Sequence, residues 1–318
     1  MVLVPRLAAA ALTLVGAAGL RSPTNAASPK SCTMTAKAGF ESCKLSAQSA
    51  AALAIGTCDN TLDASVRKPC LQQASMDRKD ALQSCKEQDD LRKMVCARLG
   101  PGPYAPSIDP ANFTNSTVID NPFFPLAPGT TFVYEGQTAD GFEHVDFAVT
   151  HVTKTILNVS CVEVHDTRKL DGKVVEDTRD WFAQDNDGNV WYFGENTTLV
   201  SDGLPVDLSG TWTGGVNGAQ PGIIMKAQPA IGDFYRQEFS LTNAEDLAEV
   251  KSLSASATVP FPPGSFENCL ETEESSSIAP GDVEHKFYAR GIGNLLTIDM
   301  AVTPNERSEL VQILTGQP

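Results

Sequence analysis

Six cysteines between residues 32 and 96 constrain this chain more than any other feature. They are Cys32, Cys43, Cys58, Cys70, Cys85 and Cys96, at steps of 11, 15, 12, 15 and 11. The series reads the same in both directions. In antiparallel helices a climb along one arm is matched by an equal descent along the other, because the rise per residue is the same. The spacing therefore predicts a helical hairpin with nested bridges Cys32–Cys96, Cys43–Cys85 and Cys58–Cys70. Six cysteines can pair in many ways, and the competing arrangement pairs them across three helices, with Pro69 turning the chain again. Structural zinc sites bring cysteines together in close pairs, and the chain has no CxxC. The same absence argues against a thioredoxin-like redox role. Three disulfides imply an oxidising compartment.

Good helix formers fill the intervals, with Ala47, Ala50, Ala51, Ala52 and Ala54 in one arm and a Lys-, Gln- and Leu-rich run from Met76 to Leu99 in the other. Breaks at Gly56, Asp59-Asn60 and Pro69 place a first helix near 34–55 and a second near 76–98.

The N-terminus agrees with export. Arg6 precedes an uncharged run, Leu7 to Leu20, and small residues come next with a cleavage site near Ala26. That run falls short of the roughly 20 residues needed to span a bilayer, and no later segment is longer and as apolar. Residues 1–26 are read as a signal peptide, so the expected location is secreted or extracellular. The remainder of the chain divides into a cysteine-stapled helical domain (27–100), a Pro/Gly-rich linker or wrap (101–128) and an acidic β domain (129–318). Four sequons, at Asn112, Asn115, Asn158 and Asn196, would be glycan acceptors in a eukaryotic secretory pathway.

Charge divides the chain near the same join. Residues 27–108 carry 11 Lys and Arg against 8 Asp and Glu, whereas residues 109–318 carry 11 against 31. So acidic a body repels phosphate backbones and anionic membranes and favours cationic partners or metal ions. Nucleic acid is disfavoured as a partner. Within the wrap, Phe123, Phe124 and Leu126 are too apolar for a free linker, and are expected to dock over a barrel end or sheet edge.

From residue 129 short alternating stretches succeed one another, among them TTFVYEG, EHVDFAVTHV, DTRDWFAQD, GNVWYFGEN and EHKFYARGIG. Turns such as Ala139-Asp140-Gly141 and Asp171-Gly172 separate them, which is the pattern of successive hairpins. The expected class is α+β: the stapled hairpin followed by a large antiparallel β domain, curved into a half-barrel or barrel, with a β-sandwich as the alternative. Cys161 and Cys269 both fall in strands and are expected to form a fourth bridge, tying an early element to a late one.

The densest stretch runs from Val174 to Asn196. Strand alternation puts Asp177, Arg179 and Trp181 on one face and Glu176, Asp180 and Phe182 on the other. Past the turn, Trp191 and Phe193 oppose Val190 and Tyr192. Polar groups lie on both faces, so one set must point into the body. Interior carboxylates beside aromatics belong more to ligand sites than to plain cores. Exposed salt bridges on a surface hairpin are the plainer reading.

Two further groups are candidate metal ligands. Asp185, Asp187 and Asn189 alternate around a glycine, as in a calcium loop, but the rest of an EF-hand is missing and such residues also fill ordinary turns. His151, Glu163 and His285 could converge if the sheet curls. No motif requires a cofactor; Ca2+ or another divalent metal is the candidate.

The runs IDPANFTNSTVIDNPFFPLAPGTTFVYEG, DTRDWFAQDNDGNVWYFGEN, DFYRQEF and HKFYARGIGNLL resemble a group of secreted bacterial proteins of unassigned function. The likeness covers most of residues 109–318. The late segment Tyr288–Gly293 is similar to one in periplasmic half-barrel lipoproteins that shelter apolar molecules, with Arg290 standing where a Pro is expected. The resemblance implies a curved β scaffold in an exported protein and carries over no catalytic residues.

The leading reading is a secreted protein that binds a small apolar or mixed ligand inside the curved sheet. Trp181, Trp191, Tyr192, Phe193 and Phe287 would line the pocket, beside Asp177 and Asp180, and Arg179 or Arg236 would orient a polar end. The alternatives are a hydrolase or isomerase using Asp177, Asp180 and a histidine, and an extracellular structural or interaction module. The cysteine hairpin would then act mechanically, as a cap or docking surface.

Overall fold

The computed structural model describes residues 30–316, so the signal peptide expected at 1–26 lies outside the described residues. Two long helices come first, α1 (Ser31–Asp59) and α2 (Ala64–Leu99). Asp63 caps α2, its carboxylate accepting from Ser65 N, and Gly100 ends the helix at φ +102°. Both helices are longer than the sequence predicts. Pro69 does not break the chain but sits in the second turn of α2, where only the bond back to Ser65 is lost. The helices run antiparallel and are joined by Cys32–Cys96, Cys43–Cys85 and Cys58–Cys70, with Cα separations of 5.6 to 5.7 Å. Nested pairing is the arrangement that two straight antiparallel arms allow. No helix of the described residues is long and apolar enough to cross a membrane.

The rest is one sheet. Its first half comprises β1 (Thr130–Thr138), β2 (Gly141–Ile156), β3 (Val159–Leu170), β4 (Lys173–Gln184) and β5 (Val190–Ser201). Short strands come next: β6 (Leu204–Asp207), β7 (Trp212–Thr213), β8 (Gln220–Met225), β9 (Phe234–Arg236) and β10 (Glu238–Phe239). The second half comprises β11 (Asp246–Thr258), β12 (Ser265–Ser276), β13 (Val283–Ala289), β14 (Gly293–Asp299) and β15 (Glu306–Thr315). Each half is an antiparallel meander of hairpins, and β1 pairs with β15 to join them. At the β2–β3 hairpin, Leu157 and Asn158 have φ of +51° and +63°, the mirror-image turn that matches strand twist.

The order across the sheet is β10-β8-β5-β4-β3-β2-β1-β15-β14-β13-β12-β11-β9, with β6 and β7 paired to β5. Its two edges, β9 and β10, are consecutive in the chain and separated only by Gln237. The edges therefore meet, and the sheet is a nearly closed barrel rather than the two packed layers of a sandwich.

Core residues lie on both sides of this wall. The main cluster fills the barrel and its end, and includes Phe123, Leu126, Phe132, Phe182, Leu270 and Leu310. Here the wrap docks as its composition predicts. A smaller outer cluster gathers Phe113, Ile156, Val159, Cys161, Trp181 and Phe193. This separation overturns the expected Cys161–Cys269 bridge. Cys161 packs in the outer cluster and Cys269 in the main one, on strands that are not neighbours, and both are buried free thiols.

The helical hairpin lies across the closing edge of the barrel. Arg92 pairs with Glu245 at 2.8 Å, and Arg98 pairs with Glu249 at 2.7 Å while stacking over Phe234. The surplus positive charge of the hairpin thus meets the acidic body at named contacts.

Candidate functional site

Alternation along the strands directs every second side chain into the barrel. From β2 these are Glu143, Val145 and Phe147; from β3, Asp166 and Arg168; from β4, Asp180 and Phe182; from β13, Glu284, Lys286 and Tyr288. They enclose a cavity of about 520 Å³.

The cavity is graded along its axis. The register sets Phe132 opposite Phe147 at one end and Gly136 opposite Glu143 toward the other. At the apolar end the wrap inserts Phe124, whose ring lies 5.5 Å from Phe182 and 6.5 Å from Phe147, edge to face. Phe182 in turn stacks on Tyr192 at 4.8 Å. Toward the other end, Glu143, Asp166, Glu284, Asp299 and Glu306 line the wall, against Arg168, Lys286 and Arg307. Asp180, Glu238, Asp246 and Glu274 add further carboxyls. Acids far outnumber bases.

So many carboxyls lining one cavity cannot all ionise freely. Burial pushes Asp180 up to about 8, with Asp166 adding repulsion, and Tyr192 donates a hydrogen bond to its Oδ1 at 2.5 Å. Burial and the neighbouring Glu176 and Glu143 push Asp166 up to about 7. Glu195 rises to about 8 through burial and Asp180. Glu238 is raised well above the usual range by burial, then by Asp246 and Glu195. Glu274 differs: burial opposes its charge, but Lys286 at 2.9 Å outweighs that and holds the carboxyl below its ordinary value. The interior therefore holds exchangeable protons near neutral pH.

Of the ligand-site residues expected from sequence, Asp180 and Tyr192 face this cavity. The others do not, and each departure has a plain cause. Asp177, Arg179 and Trp181 occupy the outer face of β4, where Arg179 contacts Asp177 at 3.4 Å and Trp181 donates to Glu163 at 3.3 Å. Trp191 and Phe193 pack against Phe113 outside the barrel. Phe287 alternates away from Lys286 and Tyr288, and Arg236 points out beneath the helical hairpin, stacked on Tyr104 and Phe239. The catalytic pair Asp177 and Asp180 is split by the sheet itself.

The metal expectations are corrected as well. His285 has Glu271 as its partner at 2.7 Å, four strands across the sheet from exposed His151, while Glu163 serves Trp181 and Arg179. In the Asp185–Asn189 turn, one carboxylate oxygen of Asp185 accepts from the backbone of Asp187 and Asn189, the other from Asn189 Nδ2 and Trp191 Nε1. Those oxygens are consumed in building the turn. Among the described residues, no group of three or more His, Cys, Asp or Glu is arranged to hold a metal ion. All four sequon asparagines are exposed.

Sequence reasoning missed Glu143, Asp166, Glu238 and Lys286. The available signal was a charged residue in register with inward apolar ones, as Glu143 is with Val145 and Phe147.

No family model matches the chain, and no curated protein sequence matches it. A crystal structure from Parabacteroides distasonis, described as a "putative lipoprotein", aligns with 60% of this chain and 98% of its own, at 14% identity and a TM-score of 0.33.

Proposed function

We propose that this chain is an exported binding protein whose barrel holds a small mixed ligand, apolar at one end and cationic at the other. The observation that carries the reading is the graded cavity of about 520 Å³, aromatic around Phe124, Phe147 and Phe182 and rich in carboxyls beyond Asp180. Cavities of this size suit small ligands, with a few polar groups fixing orientation. A protonated amine would take the place of protons now held by Asp166 and Asp180. An apolar body would cover the aromatic end. Export is supported by the three disulfides of the helical hairpin.

The test is a matched series on one apolar body, such as phenethylamine, the corresponding alcohol and the corresponding carboxylic acid, titrated by calorimetry at pH 7. The amine is expected to bind most tightly and to release protons on binding, seen as a dependence of the heat on buffer ionisation enthalpy. Equal affinity for amine and acid, or no binding by folded protein, would overturn the reading.

A further inference from the structure

A second, smaller site lies where the helical hairpin meets the closing edge of the barrel. A cavity of about 90 Å³ is bounded by Thr35 and Ala36 of α1, Arg92 of α2, Tyr104 of the wrap, and Arg236 and Glu245 of the β domain. Two guanidinium groups and one carboxylate face it. Both arginines are almost fully buried, at 2% and 6% exposure.

The charges there do not balance. Glu245 is fully engaged by Arg92, whose Nε and Nη2 donate to its two oxygens at 2.9 and 2.8 Å, and it also accepts from Thr242 N. Arg236 has no carboxylate within ion-pair distance among the described residues. It rests on the faces of Phe239 and Tyr104, 4.6 and 5.4 Å from the ring centres. Aromatic faces ease a cation's burial without supplying a counter-charge. Arginine cannot shed its proton at any ordinary pH, so one positive charge stays buried in excess. The Nη1 atoms of both Arg92 and Arg236 also lack any hydrogen-bond partner. An unpaired buried charge with unsatisfied donors is among the costliest arrangements a fold can hold.

We infer that this seam binds a small inorganic monoanion, with chloride the fitting probe, between the guanidinium groups of Arg92 and Arg236. One ion neutralises the surplus charge and accepts from both Nη1 donors. A water molecule would satisfy a donor and leave the charge. The space is a few water volumes in size, which admits a halide or nitrate and excludes an organic ligand of any bulk. Because Arg92 comes from the hairpin and Arg236 from the barrel edge, the complete site exists only when the two are docked. The ion then acts as a fastener between them, separate from the ligand cavity inside the barrel.

The experiment is thermal unfolding of the full chain in chloride and in gluconate, at constant ionic strength and pH. The melting temperature is expected to climb by a few degrees with chloride and to saturate, and Arg236→Gln is expected to remove that response. Identical melting in the two salts, or an undiminished response in the variant, overturns the inference. Should Arg236→Gln fail to fold, bromide-soaked crystals of the unaltered protein decide: an anomalous peak between the two guanidinium groups supports the site, and empty density overturns it.

Discussion

Tyr192 donates its hydroxyl hydrogen to Asp180 across the β4–β5 hairpin at 2.5 Å, inside the barrel wall. Both groups are buried, and burial moves each toward its neutral form, Asp180 to about 8 and Tyr192 well above its ordinary range. The bond joins the aromatic end of the cavity to its carboxyl-rich end. The bond itself keeps Tyr192 protonated and favours the ionised form of Asp180, so it is burial that holds the carboxyl neutral.

A pH dependence of unusual sign results. An unfolded Asp loses its proton near pH 4, whereas folded Asp180 keeps its proton to about 8. Between these values the native state binds more protons than the unfolded state, so stability falls as pH rises. Asp166, raised to about 7, and Glu195, raised to about 8, act in the same direction. The depressed carboxyls Asp233 and Glu249 act oppositely, but only below this window, as pH falls through their lowered values. The urea midpoint of the ligand-free protein is therefore expected to be higher at pH 5.5 than at pH 8.5. Asp180→Asn, which keeps an acceptor for Tyr192, should flatten the slope. A midpoint that rises toward pH 8.5 would contradict the burial of these groups.

The Arg92–Glu245 pair supports a second prediction. Its side chains are 3% and 0% exposed, and α1 offers Gly39 beside it, where an added Cβ would come within 3.1 Å of the guanidinium carbon. Removing Glu245 would leave Arg92 buried and charged beside Arg236, with no carboxylate to offset either. Glu245→Met should cost about 3–5 kcal/mol, whereas Glu245→Met combined with Arg92→Met should recover much of that loss. Chemical denaturation of both variants measures the difference. A double variant no more stable than the single one would mean that packing around Arg92, rather than its charge, holds the hairpin in place.

Local rules exposed much of this fold. Cysteine spacing yields the helical pairing because two antiparallel arms leave little choice, and strand alternation yields the opposition of Asp180 to Asp177. Which face turns inward was not legible. Trp181 and Phe193 look like pocket residues by composition, yet they bury outside the barrel because Phe113 from the wrap covers them. That cover comes from a segment some 70 residues away, beyond the reach of any periodicity. Lys286 shows the same limit: it reads as a surface residue until β12 sets Glu274 beside it. The Cys161–Cys269 bridge fails for a related reason, since strand membership alone does not say which side of the wall a thiol occupies.

The two free thiols give a third prediction. Burial raises Cys161 up to about 12 and also raises Cys269, so neither presents thiolate at neutral pH. In native protein a thiol reagent such as Ellman's should react with neither within minutes. In denaturant without reductant it should report two thiols per chain, the remaining cysteines being bridged. A count of zero in denaturant would restore the fourth bridge.

Closure of the barrel can be tested at Gly222. This residue lies on β8, and a Cβ there would meet the backbone carbonyl carbon and oxygen of Gln237 at 2.4 Å. Gln237 is the single residue between β9 and β10, where the edges of the sheet meet. It is 3% exposed and lines the cavity, and its amide favours the charge of Glu274 while Nε2 meets no acceptor in hydrogen-bond geometry. Backbone cannot yield as a flexible side chain does, so Gly222→Ala must push β8 away from this seam. The expected cost is about 1–3 kcal/mol, the usual penalty of overpacking. The helices are held to each other by their own three disulfides, so the helical signal in circular dichroism should persist while amide exchange quickens in β8 to β10. Affinity for the amine probe should fall too, because the carboxyls of Glu238 and Glu274 would separate. Unchanged exchange at the seam would mean that the sheet tolerates an open edge there, and that the cavity is held by the two meanders alone.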